Sequence, residues 1–471
     1  MKPTTPTTGP HRDPCAPAPV RGTEAVLLSR IALPLVAAYL AEVAMFLTTK
    51  IVVGRLGYHE LAAVGLAGEL AMELLFIVMG VLSIVGVLVA QADGGGRKSD
   101  AGHSARQGLI MATAVAGPAT VVVWNLDWVM SVTGQDPRVV ELAGPYLHTL
   151  SGFMLPALWF AVLRGFVSAL AKTNAIMVIT VSAVGLNYVL TLGFVEGAFG
   201  LPVLGLEGAG WAMTIVTWVM FAALVAYTYF SSGFRGYGLF RSRLRFDPAV
   251  CAEIFRLGLP VAGVVVFESG LFMVVSILSG TFGAEALAAA EILLAWVAIA
   301  FVFGLGFAEA TMVRVATCIG QGALASARRA GLLGMAIGVA LLLILVIPPV
   351  AVPEVIVRIF LEPDDPGFET VAQLATSLLL VVAIFQVFDG LQAIATRALR
   401  GYKDTMAPLW IAGFGYWVLG IGGGCLLAYP MDLGFSGLWW GMALGLIATG
   451  SLLAVRFLRL SARNAATSPA S

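Results

Sequence analysis

The chain has 471 residues, of which 59% are hydrophobic and only 11% are charged, and its 27 basic residues balance 27 acidic ones. A soluble domain carries about a quarter charged residues, so this composition excludes a soluble globular protein and indicates a polytopic protein of the lipid bilayer. The zero net charge gives no indication of a binding partner, and we do not expect the protein to bind nucleic acid. Because the sequence contains no nucleotide-binding loop and no hydrolase motif, we expect neither an enzyme nor a cofactor.

The first 24 residues are rich in proline and threonine and lack an apolar stretch, so residues 1–24 predict a disordered cytoplasmic tail rather than a signal peptide. Runs long enough to span a membrane, which needs about 20 apolar residues, follow at about 31–53, 61–91, 108–133, 142–170, 175–200, 208–231, 256–280, 286–319, 330–352, 371–400, 407–428 and 435–458. We therefore expect an all-α integral membrane protein with twelve transmembrane helices in two six-helix lobes, at 25–231 and 256–460. A basic polar linker at 232–255 joins the lobes, and 461–471 form a second tail.

Lysines and arginines predict the orientation of these helices. If both termini and every even-to-odd connection share one side, that side holds all basic residues except Lys50, Arg55, Arg138 and Arg358. Cytoplasmic loops are enriched in lysine and arginine, so both termini are predicted to be cytoplasmic, in the plasma (inner) membrane. Lys50, near the end of the first helix, is expected to snorkel outward.

Residues 30–63 and 256–289 are two copies of one segment, at a constant offset and without a gap. The identical pairs are Arg30/Arg256, Leu33/Leu259, Pro34/Pro260, Glu42/Glu268, Phe46/Phe272, Ile51/Ile277, Gly54/Gly280, Gly57/Gly283 and Leu61-Ala-Ala63/Leu287-Ala-Ala289. A half-length repeat in so apolar a chain is typical of transporters built from two related lobes.

Acidic residues at membrane depth are the candidates for chemistry, because an ionised carboxylate there costs about 2.5–3.5 kcal/mol even on a lenient scale. The acids away from predicted helix ends are Glu42, Glu69, Glu73, Glu268, Glu291, Glu309 and Asp389. Only Lys50 lies plainly among the spans with the opposite charge. Such uncompensated acids suit a site that takes up cations, whereas the alternative is a buried carboxyl hydrogen-bonded to asparagine, threonine or backbone.

Aromatic residues mostly fit an interfacial belt or lipid-facing positions. Trp159, Phe267 and Phe272 are candidates for lining a cavity for drugs. Gly304 and Gly306, in the middle of the eighth span, are expected to allow close helix packing rather than to form a hinge.

Several short motifs resemble one family in their order and spacing. They are Val53-Gly-Arg-Leu-Gly57, Asn187-Tyr188, Gly205-Leu-Glu-Gly-Ala-Gly-Trp-Ala212, Gly258-Leu-Pro260, Gln386-Val-Phe-Asp-Gly-Leu-Gln392 and Arg397-Ala-Leu-Arg-Gly-Tyr-Lys-Asp-Thr405. On these motifs the chain resembles the multidrug and toxic compound extrusion (MATE) family, over residues 25–460.

The resemblance implies two lobes around a central cavity that rock between inward-open and outward-open states while exchanging H⁺ or Na⁺ for organic cations and other drugs. Glu268 and Asp389 fall where similar proteins carry cation-coupling acids, and they are a possible Na⁺ site. Glu291 and Glu42 are expected to be auxiliary acids. Asn187 and Glu309 join the candidates for the substrate cavity.

The first helix departs from the family pattern. Thr48-Thr49-Lys50 stands where many bacterial members have an aspartate, so either Glu42 substitutes for it or coupling rests on the C-terminal lobe alone. We expect a monomeric antiporter that exports cationic or amphipathic small molecules. The alternative is a lipid-linked saccharide flippase, which requires a strongly basic cavity for pyrophosphate.

Overall fold

A computed structural model describes residues 21–240, 245–351, 358 and 367–466 of the protein. Within them, twelve helices are long and apolar enough to cross a membrane. In chain order they are α1 (Arg21–Val53), α2 (Tyr58–Gly94), α3 (Lys98–Trp124), α4 (Pro137–Ala169), α5 (Asn174–Glu196), α6 (Leu206–Phe230), α7 (Pro248–Gly280), α8 (Ala284–Gly320), α9 (Leu324–Ala351), α10 (Phe368–Gly401), α11 (Met406–Ala428) and α12 (Gly434–Ala466). The predicted twelve-helix, all-α fold is therefore confirmed.

Three predicted boundaries fall inside helices. Helix α1 begins at Arg21, within the predicted first tail, and α12 ends at Ala466, within the predicted second tail. Helix α7 begins at Pro248, inside the predicted linker, because the Asp247 carboxylate accepts the backbone N–H groups of Ala249 and Val250 and proline suits a first helical turn. Residues 1–20, 241–244 and 467–471, which include parts of both tails and of the linker, lie outside the described residues.

Three of the long helices depart locally from regular α-helical geometry. Helix α2 is interrupted at Ser83, whose hydroxyl donates to the carbonyl of Gly80 over 2.6 Å. Helix α4 contains a 3₁₀ turn at Ser151–Phe153, and α11 contains a π-helical stretch at Gly413–Gly422. Departures of this kind from regular α-helix are common near functional sites, and the bend at Ser83 lies at the boundary between the lobes.

Glycines permit close helix packing where the sequence predicts it. A Cβ atom on Gly306 of α8 would lie 2.4 Å from the side chain of Val36 on α1, and one on Gly304 would lie 3.7 Å from Gly390 of α10. A larger residue at Gly306 would force α8 away from α1, which belongs to the other lobe.

The two lobes meet at the end of the molecule that carries the linker and the described chain ends. There, a Cβ atom on Gly258 of α7 would lie 2.2 Å from the carbonyl oxygen of Val81, and one on Gly94 would lie 2.2 Å from that of Thr317. At the opposite end, polar contacts join helices of one lobe. Arg55 pairs with Glu196 over 3.4 Å, and the hydroxyl of Thr281 lies 3.1 Å from that of Tyr429.

Candidate functional site

The structure brings two predicted acids of the C-terminal lobe together. Glu268 lies near the middle of α7, and Asp389, which is only 2% exposed, lies on α10 within electrostatic range of it. Gln392, one turn further along α10, donates its amide N–H to the Glu268 carboxylate over 3.4 Å. Among the described residues, Asp389 Oδ1 has no hydrogen-bond partner.

Three neutral residues complete this polar cluster, and none of them was predicted as a site residue. Gln386, Gln392 and Tyr416 are each at most 2% exposed and carry polar atoms that find no partner in the described part of the chain. The Tyr416 hydroxyl lies within electrostatic range of both acids. The signal was present in the sequence, because Gln386, Asp389 and Gln392 recur every three residues and so share one face of a helix.

The donor set of this cluster suits a small cation. Buried polar atoms in proteins are almost always hydrogen-bonded or bound to an ion, and a hard cation prefers carboxylate, amide and hydroxyl oxygens. Glu268 and Asp389, with the neutral oxygens around them, provide such oxygens for Na⁺, and either carboxylate alone accepts H⁺. Among the described residues, no three histidine, cysteine or acidic side chains are arranged so that they could hold a metal ion together, so Na⁺ would need neutral oxygens as well as the two carboxylates.

Glu42, the repeat equivalent of Glu268, has a cationic partner. Arg164 of α4 donates to its carboxylate over 2.6 Å, and the two side chains are 11% and 27% exposed. The guanidinium also lies 5.1 Å from the ring centre of Tyr39. The sequence expectation of an uncompensated acid is therefore wrong for Glu42, because its partner lies on a helix more than a hundred residues away.

Two further expectations about charge are corrected by tertiary contacts. Glu69 of α2 is not uncompensated, because the ammonium group of Lys50 lies 2.7 Å from its exposed carboxylate. Glu309 of α8 is not uncompensated, because Arg397 of α10 lies 3.6 Å from it.

Glu291 is separate from the pair formed by Glu268 and Asp389. Its exposed carboxylate accepts a hydrogen bond from Ser276 over 2.5 Å. Ser276 lies eight residues beyond Glu268 on α7, which is about 12 Å along the helix axis. An auxiliary role for Glu291 would therefore be exercised at a distance from Asp389.

Asn187 occupies a buried polar position in the N-terminal lobe. Its amide nitrogen lies 3.0 Å from the carbonyl oxygen of Met45 and 3.1 Å and 3.2 Å from the hydroxyls of Thr49 and Thr48. These contacts tie α5 to α1 at the stretch where the family pattern has an aspartate. Asn187 thus supports the first helix with neutral groups.

The aromatic candidates are held within their own lobes. The Trp159 indole N–H donates to Thr113 over 3.0 Å, and its ring packs on Phe221 at 5.0 Å between centres. The Phe267 ring meets that of Trp417 edge-on at 6.3 Å, and half-buried Phe272 packs on the C-terminal core. The described contacts of these three residues therefore do not bring them to one shared surface.

A twelve-helix membrane transporter with two repeated lobes is the class that this fold and polar cluster define. The family model of MatE matches residues 34–192 and 260–426. The chain belongs to this family, the multidrug and toxic compound extrusion transporters.

Relatives match over nearly the whole chain. The chain is 38% identical to the probable multidrug resistance protein NorM of Pseudomonas aeruginosa, over 92% of this chain and 89% of that protein. It is 35% identical to the multidrug resistance protein NorM of Burkholderia vietnamiensis, over 95% and 96% of the two chains.

Solved structures share the fold. The eukaryotic MATE transporter AtDTX14 superposes with a TM-score of 0.83 at 22% identity, covering 94% of this chain and 98% of that one. A MATE transporter in a bent conformation gives a TM-score of 0.85 at 20% identity, covering 97% of both chains.

Proposed function

We propose that this protein is a secondary active antiporter that exports cationic or amphipathic small molecules in exchange for H⁺ or Na⁺. The observation that carries the proposal is the pair of acids formed by half-buried Glu268 and buried Asp389. The pair lies in a membrane protein whose relatives are named multidrug resistance proteins. Acids inside a membrane mark ion pathways by default.

The coupling follows from differential affinity. A cation that binds Glu268 and Asp389 more tightly in one of two conformations shifts the protein toward that conformation. If the same conformation releases the drug outside, the ion gradient drives export, and linkage requires that drug binding weakens cation binding by the same factor.

Glu42 and Glu291 take auxiliary roles in this proposal. Because Arg164 neutralises Glu42, coupling rests mainly on the C-terminal lobe, and Glu42 serves to hold α1 against α4. The exposed Glu291 attracts cations toward the outer half of α7 and α8.

We further propose the arrangement in the membrane. Both termini and the linker face the cytoplasm, in the bacterial inner membrane, and the protein acts as a monomer with lobes at 25–231 and 256–460. In this orientation the lobes touch on the cytoplasmic side, so the structure corresponds to an outward-open state.

A lipid-linked saccharide flippase is not favoured. Such a protein needs a strongly basic cavity for pyrophosphate, whereas two arginines within the helices, buried Arg164 and half-buried Arg397, are paired with the carboxylates of Glu42 and Glu309.

The decisive variant is Glu268→Gln, reconstituted in proteoliposomes with a fluorescent organic cation. A Na⁺ gradient and a pH gradient are imposed separately, which also identifies the coupling ion. We expect efflux driven by either gradient to fall to background in this variant while binding of the dye persists. The matched control is Glu207→Gln, at an exposed acid near the start of α6, which keeps the wild-type rate. Wild-type efflux by Glu268→Gln would refute the assignment.

A further inference from the structure

A stripe of buried polar side chains continues along α10 from the acid pair to the end of the helix at which the lobes meet. It consists of Asp389, Gln392, Thr396 and Arg400, which are 2%, 1%, 5% and 6% exposed. Their spacing of three or four residues places them on one face of the helix. The eleven residue steps from Asp389 to Arg400 cover about 16 Å along the axis.

The Thr396 hydroxyl differs from most other buried threonine hydroxyls within the described helices. Six of these threonines donate to the carbonyl four residues earlier, namely Thr49, Thr180, Thr217, Thr228, Thr311 and Thr449, whereas Thr191 shares the unpartnered state of Thr396. The hydroxyl of Thr396 has no partner among the described residues, and neither has Oε1 of Gln392 one turn away. Two adjacent turns of one helix face thus present buried polar atoms that are available to water or to an ion.

The stripe ends where α10 meets the N-terminal lobe. Arg400 donates to the Ser83 hydroxyl at the bend of α2 over 3.1 Å. Next to it, the Gln91 side chain donates to the carbonyl oxygen of Gly401 over 2.9 Å. The Arg400 guanidinium is therefore fixed across the end of the stripe by a contact that exists only while the lobes are together.

We propose that this stripe is the cytoplasmic half of the coupling-ion pathway, and that Arg400 blocks it while the lobes touch. Water bridges Gln392 and Thr396 and connects the acid pair to the cytoplasmic end of α10. The positive guanidinium repels a cation in this passage, as fixed arginines do in selective channels. Separation of the lobes breaks the Arg400–Ser83 contact and opens the pathway. This inference rests on the proposed coupling role of Glu268 and Asp389.

The pathway is tested first with Thr396→Val, which removes the hydroxyl and keeps the shape of the side chain. We expect ion-driven efflux, per amount of reconstituted protein, to fall about fivefold, the factor typical of one lost hydrogen bond. Thr396→Ser restores the hydroxyl and the rate. Thr449→Val is the matched control, since its hydroxyl is satisfied within its own helix.

The outcomes separate the two proposals. A wild-type rate in Thr396→Val, with no transport in Glu268→Gln, would overturn the pathway and leave the coupling site standing. Transport by Glu268→Gln at the wild-type rate would overturn the coupling site itself.

The block is tested with Arg400→Gln in liposomes without drug. A dye inside reports entry of H⁺, and radioactive tracer reports entry of Na⁺. We expect the passive leak of the coupling ion to rise roughly tenfold, as for loss of a unit charge at about 10 Å in a medium of effective dielectric constant near 20. Arg400→Lys keeps the charge and the low leak. A leak that stays at the wild-type level in Arg400→Gln would refute the role of this residue.

Discussion

An ion pair between the lobes offers a direct test of the outward-open state. Arg314 of α8 donates from two nitrogens to the two carboxylate oxygens of Glu24 on α1, over 2.8 Å and 2.9 Å, and the side chains are 8% and 27% exposed. Because α1 and α8 belong to different lobes, separation of the lobes at this end breaks the pair. Glu24→Gln keeps the size of the side chain and removes its charge.

The expected effect follows from the geometry. A hydrogen bond to a charged group contributes about 1.5–3 kcal/mol. The Arg314–Glu24 pair is bidentate and largely shielded from water, so its contribution to the free energy lies within this range even though solvent partly screens the Glu24 carboxylate. Each 1.4 kcal/mol, approximately, corresponds to a tenfold change in an equilibrium constant. The substitution therefore shifts the ratio of outward-open to inward-open protein roughly 10-fold to 100-fold toward the inward-open state.

Spin labels at Tyr58 and Met431 provide the measurement. Both residues are exposed, at 78% and 58%, and lie in different lobes at the end opposite the linker. In Glu24→Gln, pulsed electron paramagnetic resonance should show growth of the shorter inter-label distance. Glu141→Gln, which breaks an exposed pair with Arg138 inside one helix, should leave the distribution unchanged. An unchanged distribution in Glu24→Gln would refute the reasoning.

Two further predictions concern stability in detergent. Arg164→Met should destabilise the protein by about 1–3 kcal/mol, because it leaves the half-buried Glu42 without its partner. The double variant Arg164→Met/Glu42→Leu should cost less than the sum of the single variants, and additive losses of melting temperature would contradict this. The hydrogen bond from His103, and then that from the backbone of Val250, hold the pKa of Asp247 below its ordinary value of 3.8. A carboxyl group whose pKa is lowered by folding stabilises the folded state fully at pH values above its ordinary pKa. This stabilisation is lost as the pH falls through the folded-state pKa. Melting curves of Asp247→Asn should therefore change less on acidification below 3.8 than those of the wild type, and equal slopes would argue against the role of this carboxylate.

The sequence alone predicted the number of helices, the repeat and the two main acids. Spanning length and apolarity are properties of consecutive residues, so the twelve helices follow from local composition. The free-energy cost of placing a carboxylate inside a membrane helix can likewise be inferred for Glu268 and Asp389 without knowledge of their neighbours. The spacing of Gln386, Asp389 and Gln392 also indicates that they share one face of α10, although only Asp389 was predicted to be a site residue.

Tertiary structure decided which charges are compensated. Lys50 forms an ion pair with Glu69, and Arg164 forms one with Glu42, in each case between two different helices. The sequence does not show which side chains of two helices face each other. An ion pair depends on the positions of two helices, whereas a hydropathy pattern describes one helix at a time. The state of the Thr396 hydroxyl likewise could not be predicted from the sequence. A threonine in a helix normally donates to its own backbone, and only the tertiary structure shows that this hydroxyl has no partner among the described residues. Composition thus determined the membrane fold and its acids, and helix packing determined which of those acids have a cationic side chain beside them.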